Sequence, residues 1–265
     1  HGLRNHFVIV DARTEPYRPP ADAIAHICDP QTGVGGDQLI VIEPPQADNA
    51  HAFMRIYNVD GREVEACGNA TRCVGWLLLE EAGADAIVIE TLAGLLQCRR
   101  AGELRVSSDM GSVSMQWQDI PLVEKRDTLH LDFSCGELRN PVALAIGNPH
   151  LVFFVDNIDA VDLEKYAPDI QKDRLFPNGI NVGIAEMQAD DRMRAVVYER
   201  GAGLTAACGS GACVAAYAAR ARGLTAEDRI SVEMPAGPVD IDIRPDGSAV
   251  MTGPVAFCFR GELPA

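Results

Sequence analysis

Two short cysteine motifs are the part of this sequence best suited to chemistry. Residues 66–73 read ACGNATRC, and residues 207–213 read ACGSGAC. A Cys-Gly pair before Asn or Ser is suited to a helix start, where the first N–H groups lack a partner within the helix. Such groups bind carboxylates and lower the pKa of a nearby thiol. We therefore predict Cys67 and Cys208 to be reactive thiols.

The two motifs belong to a longer internal repeat. Tyr57 and Tyr198 lie 141 residues apart, as do Cys67 and Cys208, and the strand predicted to start at Gln38 has its counterpart 143 residues later at Asn181. An offset this steady predicts an internal duplication, with halves at 1–128 and 129–265 and a crossover near 117–126. Each half is predicted to be mostly sheet around one long helix, which is an α+β architecture.

Hydrophobic patterning supplies the elements of each half. Strands are predicted at 7–10, 38–43, 53–58 and 87–90, and again at 150–155, 181–186 and 230–233. Helices are predicted at 21–28, at 71–82 before Gly83, and at 212–222 before Gly223. Asp60-Gly61 is typical of a hairpin turn. Each cysteine motif thus begins just before the long helix predicted for its half and runs into the first residues of that helix.

Composition excludes several classes of protein. The 265 residues are 47% hydrophobic and 23% charged, which predicts a packed globular chain. A net charge of −15 argues against nucleic acid and anionic membranes as partners. We see no apolar run of the roughly 20 residues that a membrane span needs, and no secretory signal. Eight cysteines without zinc-ribbon spacing favour the reducing cytoplasm, and no motif indicates a metal or a cofactor.

Two opposed thiols would suit one kind of reaction. If the halves face each other across a cleft, Cys67 and Cys208 oppose one another, and the two helix starts hold one carboxylate between them. One thiol can then remove a proton from one face of a carbon while the other returns a proton to the opposite face. In this interpretation the cysteines are acid and base, not nucleophiles.

The other candidate site residues can each be explained by a structural role when the residues are considered by themselves. Cys73 and Cys213 are predicted to lie in the core, and Cys28, Cys98, Cys135 and Cys258 to be buried, inert side chains. His150 fits a core or solvated histidine equally well, and Glu199-Arg200 fits a surface ion pair. The glycines at 35–36 and at 201 and 203 lack the spacing of a phosphate-binding loop.

The motifs taken together resemble diaminopimelate epimerase, a cofactor-independent amino acid epimerase. The resemblance spans nearly the whole chain and rests on HGLxNxF at 1–7, DQ at 37–38, YNxDG at 57–61, CGNxxRC at 67–73, GNPH at 147–150, Asn181, ERGxG at 199–203 and ACGSGAC at 207–213.

This family resemblance implies two pseudo-symmetric halves, each a mostly antiparallel sheet rolled around a central helix, with the site in the cleft between them. It implies Cys67 and Cys208 as the catalytic bases, with His150 and Glu199 close by to tune them. Gly68, Asn69, Gly209 and Ser210 would hold the reacting carboxylate. The rest of the substrate site would be lined by Asn5, Gln38, Asn58, Asn148, Asn181, Glu199 and Arg200, with Arg200 suited to a second carboxylate.

The sequence leaves the substrate open between related compounds. The expected reaction interconverts L,L- and meso-diaminopimelate in lysine and peptidoglycan precursor biosynthesis. The alternative on the same fold is a racemase or isomerase of another amino acid, such as proline, hydroxyproline or histidine. A binding protein that kept the fold is disfavoured because both cysteines are present. We expect a small amino acid substrate, no nucleic acid or membrane partner, and a monomer or a homodimer.

Overall fold

The computed structural model describes residues 1–262 of the chain. This part holds four α-helices, one short 3₁₀ helix and 17 strands. The helices are α1 (Ala21–Cys28), α2 (Gly68–Ala82), α3 (Leu163–Gln171) and α4 (Gly209–Ala221), and the 3₁₀ helix spans Ile158–Ala160. Contacts divide the chain into two compact units. Unit 1 contains His1–Ser108 and the segment from Gly253 onward, and unit 2 is Asp109–Thr252.

The strands of the first repeat are β1 (Phe7–Asp11), β2 (Gln38–Glu43), β3 (Ala52–Asn58), β4 (Glu63–Val64), β5 (Ala86–Thr91), β6 (Gly94–Gly102) and β7 (Arg105–Ser112). β1 runs parallel to β2, β2 antiparallel to β3, and β3 parallel to β5. β5, β6 and the start of β7 continue antiparallel, while β4 pairs with β3 through the predicted hairpin. The sheet of unit 1 is therefore mostly antiparallel.

The strands of the second repeat are β8 (Ser134–Cys135), β9 (Leu138–Arg139), β10 (Val142–Ala145), β11 (Pro149–Phe154), β12 (Asn181–Ala189), β13 (Arg192–Glu199), β14 (Gly203–Thr205), β15 (Arg229–Met234), β16 (Gly237–Ile243) and β17 (Ser248–Pro254). β11 is parallel to β12, β12 antiparallel to β13, and β13 parallel to β15. β15, β16 and β17 are antiparallel, and β14 pairs with β13. From β11 onward, strand order and direction repeat those of β1 to β7.

Each unit encloses one helix on most of its faces. In α2 the residues from Asn69 to Gly75 are all buried, and in α4 those from Gly211 to Ala216 are buried. A helix that is buried nearly all round needs a sheet curved about it. In α4 the many alanines let the strands approach closely. The predicted α+β architecture of two similar repeats, each with a central helix, is thus confirmed.

Several local predictions need correction. Both central helices begin three residues earlier than predicted, because the helical hydrogen bonds start from the carbonyls of Cys67 and Cys208. Cys258 was predicted to be buried and is exposed, and Cys135 is half-buried, whereas Cys28 and Cys98 are buried as expected. Cys258 lies after the last strand, outside any element that could cover it. The halves at 1–128 and 129–265 stay a prediction about the sequence repeat.

Candidate active site

Each of the two cysteines predicted to be reactive lies directly before the central helix of its unit. Cys67 is the N-cap of α2, with φ −149° and ψ 110°, and Cys208 is the N-cap of α4, with φ −128° and ψ 108°. Extended geometry at this position leaves the first-turn N–H groups open toward the cap side chain. Neither cap side chain forms a full capping hydrogen bond. The predicted position of a thiol at each helix start is therefore observed.

In unit 1 the Cys67 thiol belongs to a cluster of amides. Its Sγ donates to Oδ1 of Asn5 at 3.8 Å, and Nδ2 of Asn69 donates to the same oxygen at 3.4 Å. Asn5 is fixed from its other side, since its Nδ2 donates to Asp37 at 3.1 Å. The structure thus brings together Cys67, Asn5 and Asn69, and adds Asp37 to the group.

A second pair of amides lies on neighbouring strands of unit 1. Gln38 begins β2 and Asn58 ends β3, and the two are directly paired across the sheet. Nε2 of Gln38 donates to Oδ1 of Asn58 at 2.9 Å. Oδ1 of Asn58 thus has a hydrogen-bond partner, whereas Oε1 of Gln38 is buried without one. A buried acceptor of this kind is suited to a donor that a bound molecule brings.

In unit 2 the Cys208 thiol is linked to a buried histidine through a serine. Sγ of Cys208 lies 3.5 Å from Oγ of Ser210, and that hydroxyl lies 3.0 Å from Nε2 of His150. The same ring nitrogen is 3.0 Å from Oδ1 of Asn148 and 3.4 Å from Nδ2 of Asn181. His150 is 1% exposed, so these neighbours supply its polar surroundings.

Glu199 and Arg200 are held by separate partners in unit 2. The Glu199 carboxylate accepts from Oγ1 of Thr205 at 2.7 Å. The backbone N–H of Arg200 donates to Oδ1 of Asn181 at 2.8 Å, and its guanidinium donates to the Asn178 carbonyl at 2.6 Å. Arg200 is otherwise exposed. The guanidinium is therefore anchored at one nitrogen and keeps further N–H groups for a ligand.

Burial reverses the expected direction of the thiol pKa shift. Desolvation raises the pKa of Cys67 to about 11, although the backbone N–H groups of Ala70 and Asn69 act in the opposite direction. The pKa of Cys208 is also raised, first by burial and then by the negative charge of Glu199. The helix start favours the thiolate as predicted, but desolvation of the charged form outweighs it. Both cysteines are thiols at neutral pH in this structure.

The histidine is kept neutral by the same physical effect. Burial and the positive charge of Arg200 lower the pKa of His150 to about 3. All three neighbours contact Nε2, which in a neutral imidazole either donates to Oδ1 of Asn148 or accepts from Nδ2 of Asn181, while the Ser210 hydroxyl can serve either tautomer. His150 is therefore neutral at physiological pH, with its Nε2 within hydrogen-bond reach of the Ser210 hydroxyl.

Sheet register aligns the polar residues of the two repeats. Phe7 pairs with Gln38 across β1 and β2, and His150 pairs with Asn181 across β11 and β12. In the next strand pair Tyr57 lies opposite Leu39, as Tyr198 lies opposite Val182. The equivalent positions are Asn5 and Asn148, Phe7 and His150, Gln38 and Asn181, Asn58 and Glu199, Cys67 and Cys208, and Asn69 and Ser210. His150 and Glu199 are ionisable, whereas their equivalents in the first repeat, Phe7 and Asn58, are not.

All of these residues lie in the two stretches of the chain that match a known protein family. The family model for diaminopimelate epimerase matches residues 1–116 and 142–258. The chain belongs to this family.

Two relatives agree with the assignment, and a solved structure shares the fold. A diaminopimelate epimerase from Acidiphilium cryptum is 49% identical over 100% of this chain and 95% of its own. One from Phenylobacterium zucineum is 46% identical over 100% of this chain and 96% of its own. The fold is also that of a predicted epimerase from Pseudomonas aeruginosa, with a TM-score of 0.65 at 19% identity over 98% and 93% of the two chains. Membership of the diaminopimelate epimerase family makes the chain an isomerase.

Three residues that hold site residues of this epimerase in place were not predicted from the sequence. Asp37 orients Asn5, Arg72 donates to Oδ1 of Asn69 at 2.6 Å, and Thr205 holds Glu199. Arg72 lies three residues after Asn69, which is a spacing that puts two side chains on one helix face, so a pattern for it existed in the sequence. Asp37 and Thr205 become neighbours of the site only through strand pairing.

Residues 1–262 show neither a cluster of metal ligands nor a membrane-spanning helix. No group of three or more His, Cys, Asp or Glu in this range is arranged to hold a metal ion. No helix in the same range is both long and apolar enough to cross a membrane.

Proposed function

We propose that this chain interconverts L,L- and meso-diaminopimelate by proton transfer at the α-carbon, without a cofactor, in lysine and peptidoglycan precursor biosynthesis. The observation that carries the proposal is the repeated N-cap cysteine, with an amide or hydroxyl donor two residues later on the same helix. The names of the relatives support the substrate. The arrangement itself supports acid–base chemistry by thiols.

In the proposed mechanism Cys67 and Cys208 serve opposite faces of the same α-carbon. The first-turn N–H groups after each cysteine, with Asn69 and Ser210, bind the carboxylate attached to that carbon. Negative charge that develops on this group when the α-proton leaves is stabilised by donors that are already in place. The distal carboxylate is assigned to Arg200, whose guanidinium can form a charge-assisted pair.

The two thiols are not equivalent in this mechanism. The charge of Glu199 opposes ionisation of Cys208, whereas the position equivalent to Glu199 in unit 1 is the neutral Asn58. Cys67 is therefore the thiol that ionises more readily: it first loses its own proton to solvent, and the resulting thiolate then takes the α-proton from its own face. Cys208 starts as the acid, and reversal of the reaction exchanges the two roles.

Incubation with L,L-diaminopimelate in deuterium oxide tests the proposal. Chiral chromatography should show the meso isomer, and mass spectrometry should find deuterium in the product from the first turnover because a thiol exchanges its proton with solvent. Substrate recovered early should stay largely unlabelled, since the base on that face holds the proton it has removed. Equal labelling of both pools would favour a single shared base.

Variants at four cysteines separate the mechanism from general damage to the fold. Replacing Cys67 or Cys208 by Ala should abolish epimerisation, because one face then lacks its acid or base. The matched controls are Cys73→Ala and Cys213→Ala, which should cost stability alone, on the order of 1 kcal/mol. Near-normal epimerisation without Cys67 would contradict the two-thiol mechanism. Activity on proline instead of diaminopimelate would point to the alternative racemase.

A further inference from the structure

Four side chains of unit 1 form a hydrogen-bonded chain that runs in one direction. Nη2 of Arg72 donates to Oδ1 of Asn69 at 2.6 Å, and Nδ2 of Asn69 donates to Oδ1 of Asn5 at 3.4 Å. Nδ2 of Asn5 then donates to Oδ2 of Asp37 at 3.1 Å. The same carboxylate oxygen accepts from the backbone N–H of His6 at 2.7 Å.

The two ends of this chain fix its direction. A guanidinium has donors but no acceptor, and an ionised carboxylate has acceptors but no donor. An Asn side chain placed between them must therefore turn its oxygen toward Arg72 and its NH₂ group toward Asp37. The opposite orientation of either amide would put two donors or two acceptors face to face.

The buried end is the stronger anchor. Arg72 is 0% exposed and Asn69 is 5% exposed, so water does not compete for their hydrogen bond. Nη1 of Arg72 also reaches the Gly68 carbonyl at 3.4 Å, which ties the guanidinium to the first turn of α2. The Asp37 end is exposed, with 56% of its side-chain surface accessible, and is correspondingly weaker.

The second repeat shows why unit 1 needs such anchors. The position equivalent to Asn69 is Ser210, whose hydroxyl can rotate to donate or accept as required. The positions equivalent to Arg72 and Asp37 are Cys213 and Ile180, neither of which is charged. The anchors are thus found where an amide with two distinct ends must be oriented.

We propose that Arg72, assisted by Asp37, is a positioning residue that presents the NH₂ group of Asn69, and not its carbonyl, to the substrate carboxylate. This inference rests on the proposed function, in which Asn69 binds that carboxylate. Without the anchor the amide can turn, and its oxygen then faces the carboxylate and repels it. Arg72 touches no substrate atom in this assignment and acts through Asn69.

A double-mutant cycle with Asn69→Ser tests the coupling. Arg72→Met should lower kcat/KM at least 10-fold in the parent chain, mainly through a higher KM, and less than 3-fold in the Asn69→Ser background. Arg72→Lys should recover part of the loss, because an ammonium can still donate to Oδ1 of Asn69. Equal losses in both backgrounds would overturn the proposal, since they would show that Arg72 does not act through Asn69.

Two further arms keep the test decisive. If Arg72→Met does not fold by circular dichroism, Asp37→Ala replaces it at an exposed position, with a larger loss expected in the parent chain than in the Asn69→Ser background, where only the contact of Asn5 with Cys67 is affected. If the unaltered chain fails to epimerise diaminopimelate, the proposed function fails by itself. A neutron crystal structure of Arg72→Met, which distinguishes the NH₂ group of Asn69 from its oxygen, then decides, and an Asn69 amide that still donates to Asn5 would overturn the positioning role.

Discussion

The buried neutral histidine makes the stability of unit 2 sensitive to acid. An unfolded histidine has a pKa near 6.5, whereas burial and Arg200 lower the pKa of His150 to about 3. Between these values the unfolded chain binds a proton that the folded chain does not. Stability supplied by the neutral ring is therefore present above pH 6.5 and is lost as the pH falls toward 3.

The size of this effect follows from the two pKa values. Lowering the pH from 7.5 to 5.0 crosses about 1.5 pH units of the window, which corresponds to about 2 kcal/mol of unfolding free energy. The figure barely changes if the folded pKa is one unit higher, because pH 5.0 still lies above it. His150→Gln, which cannot titrate in this range, should lose about 2 kcal/mol less than the parent chain over the same interval.

Urea unfolding at the two pH values measures the difference. His130→Gln removes an exposed histidine of the same unit and is the matched control, which should keep the pH dependence of the parent chain. An identical pH dependence for the parent chain and His150→Gln would refute the reasoning, because it would show that His150 is protonated in the folded state.

Three further outcomes are expected. Gly211→Ala should destabilise the fold by about 1–3 kcal/mol in urea, because the new Cβ would lie 2.6 Å from a methyl group of Val197. Gly179→Ala should raise KM for diaminopimelate, since its Cβ would lie 3.0 Å from Cδ of Arg200; Gly223→Ala, with a positive φ and nothing within 4 Å of its Cβ apart from its chain neighbours, controls for backbone strain. Mild oxidation should abolish activity by joining the two proposed catalytic thiols, and dithiothreitol should restore it, whereas full activity with both thiols blocked to alkylation would contradict this.

Local pattern was sufficient to predict three of the four α-helices and seven of the 17 strands found in residues 1–262. The predicted helix at 21–28 and strand at 38–43 are confirmed at both ends, because an amphipathic or β-branched run is bounded there by turn residues. The helix ends at Gly83 and Gly223 are also confirmed, since both glycines take the left-handed conformation that ends a helix. The repeat, read from spacing alone, is confirmed by strand order.

The polar contacts of the site could not be predicted in the same way. Whether Asn5 meets Asp37 depends on how β1 and β2 lie side by side, and no local pattern contains that register. Two opposite effects set the pKa of Cys67: the helix N–H groups lower it and desolvation raises it. The sequence motif predicts the first effect, but the extent of desolvation is known only from the tertiary structure. The exposed Cys258 shows the same limit, because average burial of cysteine says nothing about a segment beyond the last strand.

The division of the chain into units has a consequence for synthesis. Unit 1 is assembled from two separated stretches of sequence, and the later one contributes Val255 to its core and a hydrogen bond from Val255 N–H to the Leu104 carbonyl. Unit 2 is one continuous stretch, so the ribosome delivers all of it before Val255 emerges. We therefore expect the unit that starts first to finish last, the reverse of the usual N-terminal priority during translation. A released chain that ends at Thr252 would contain every residue of unit 2 but would lack the segment that completes the core of unit 1.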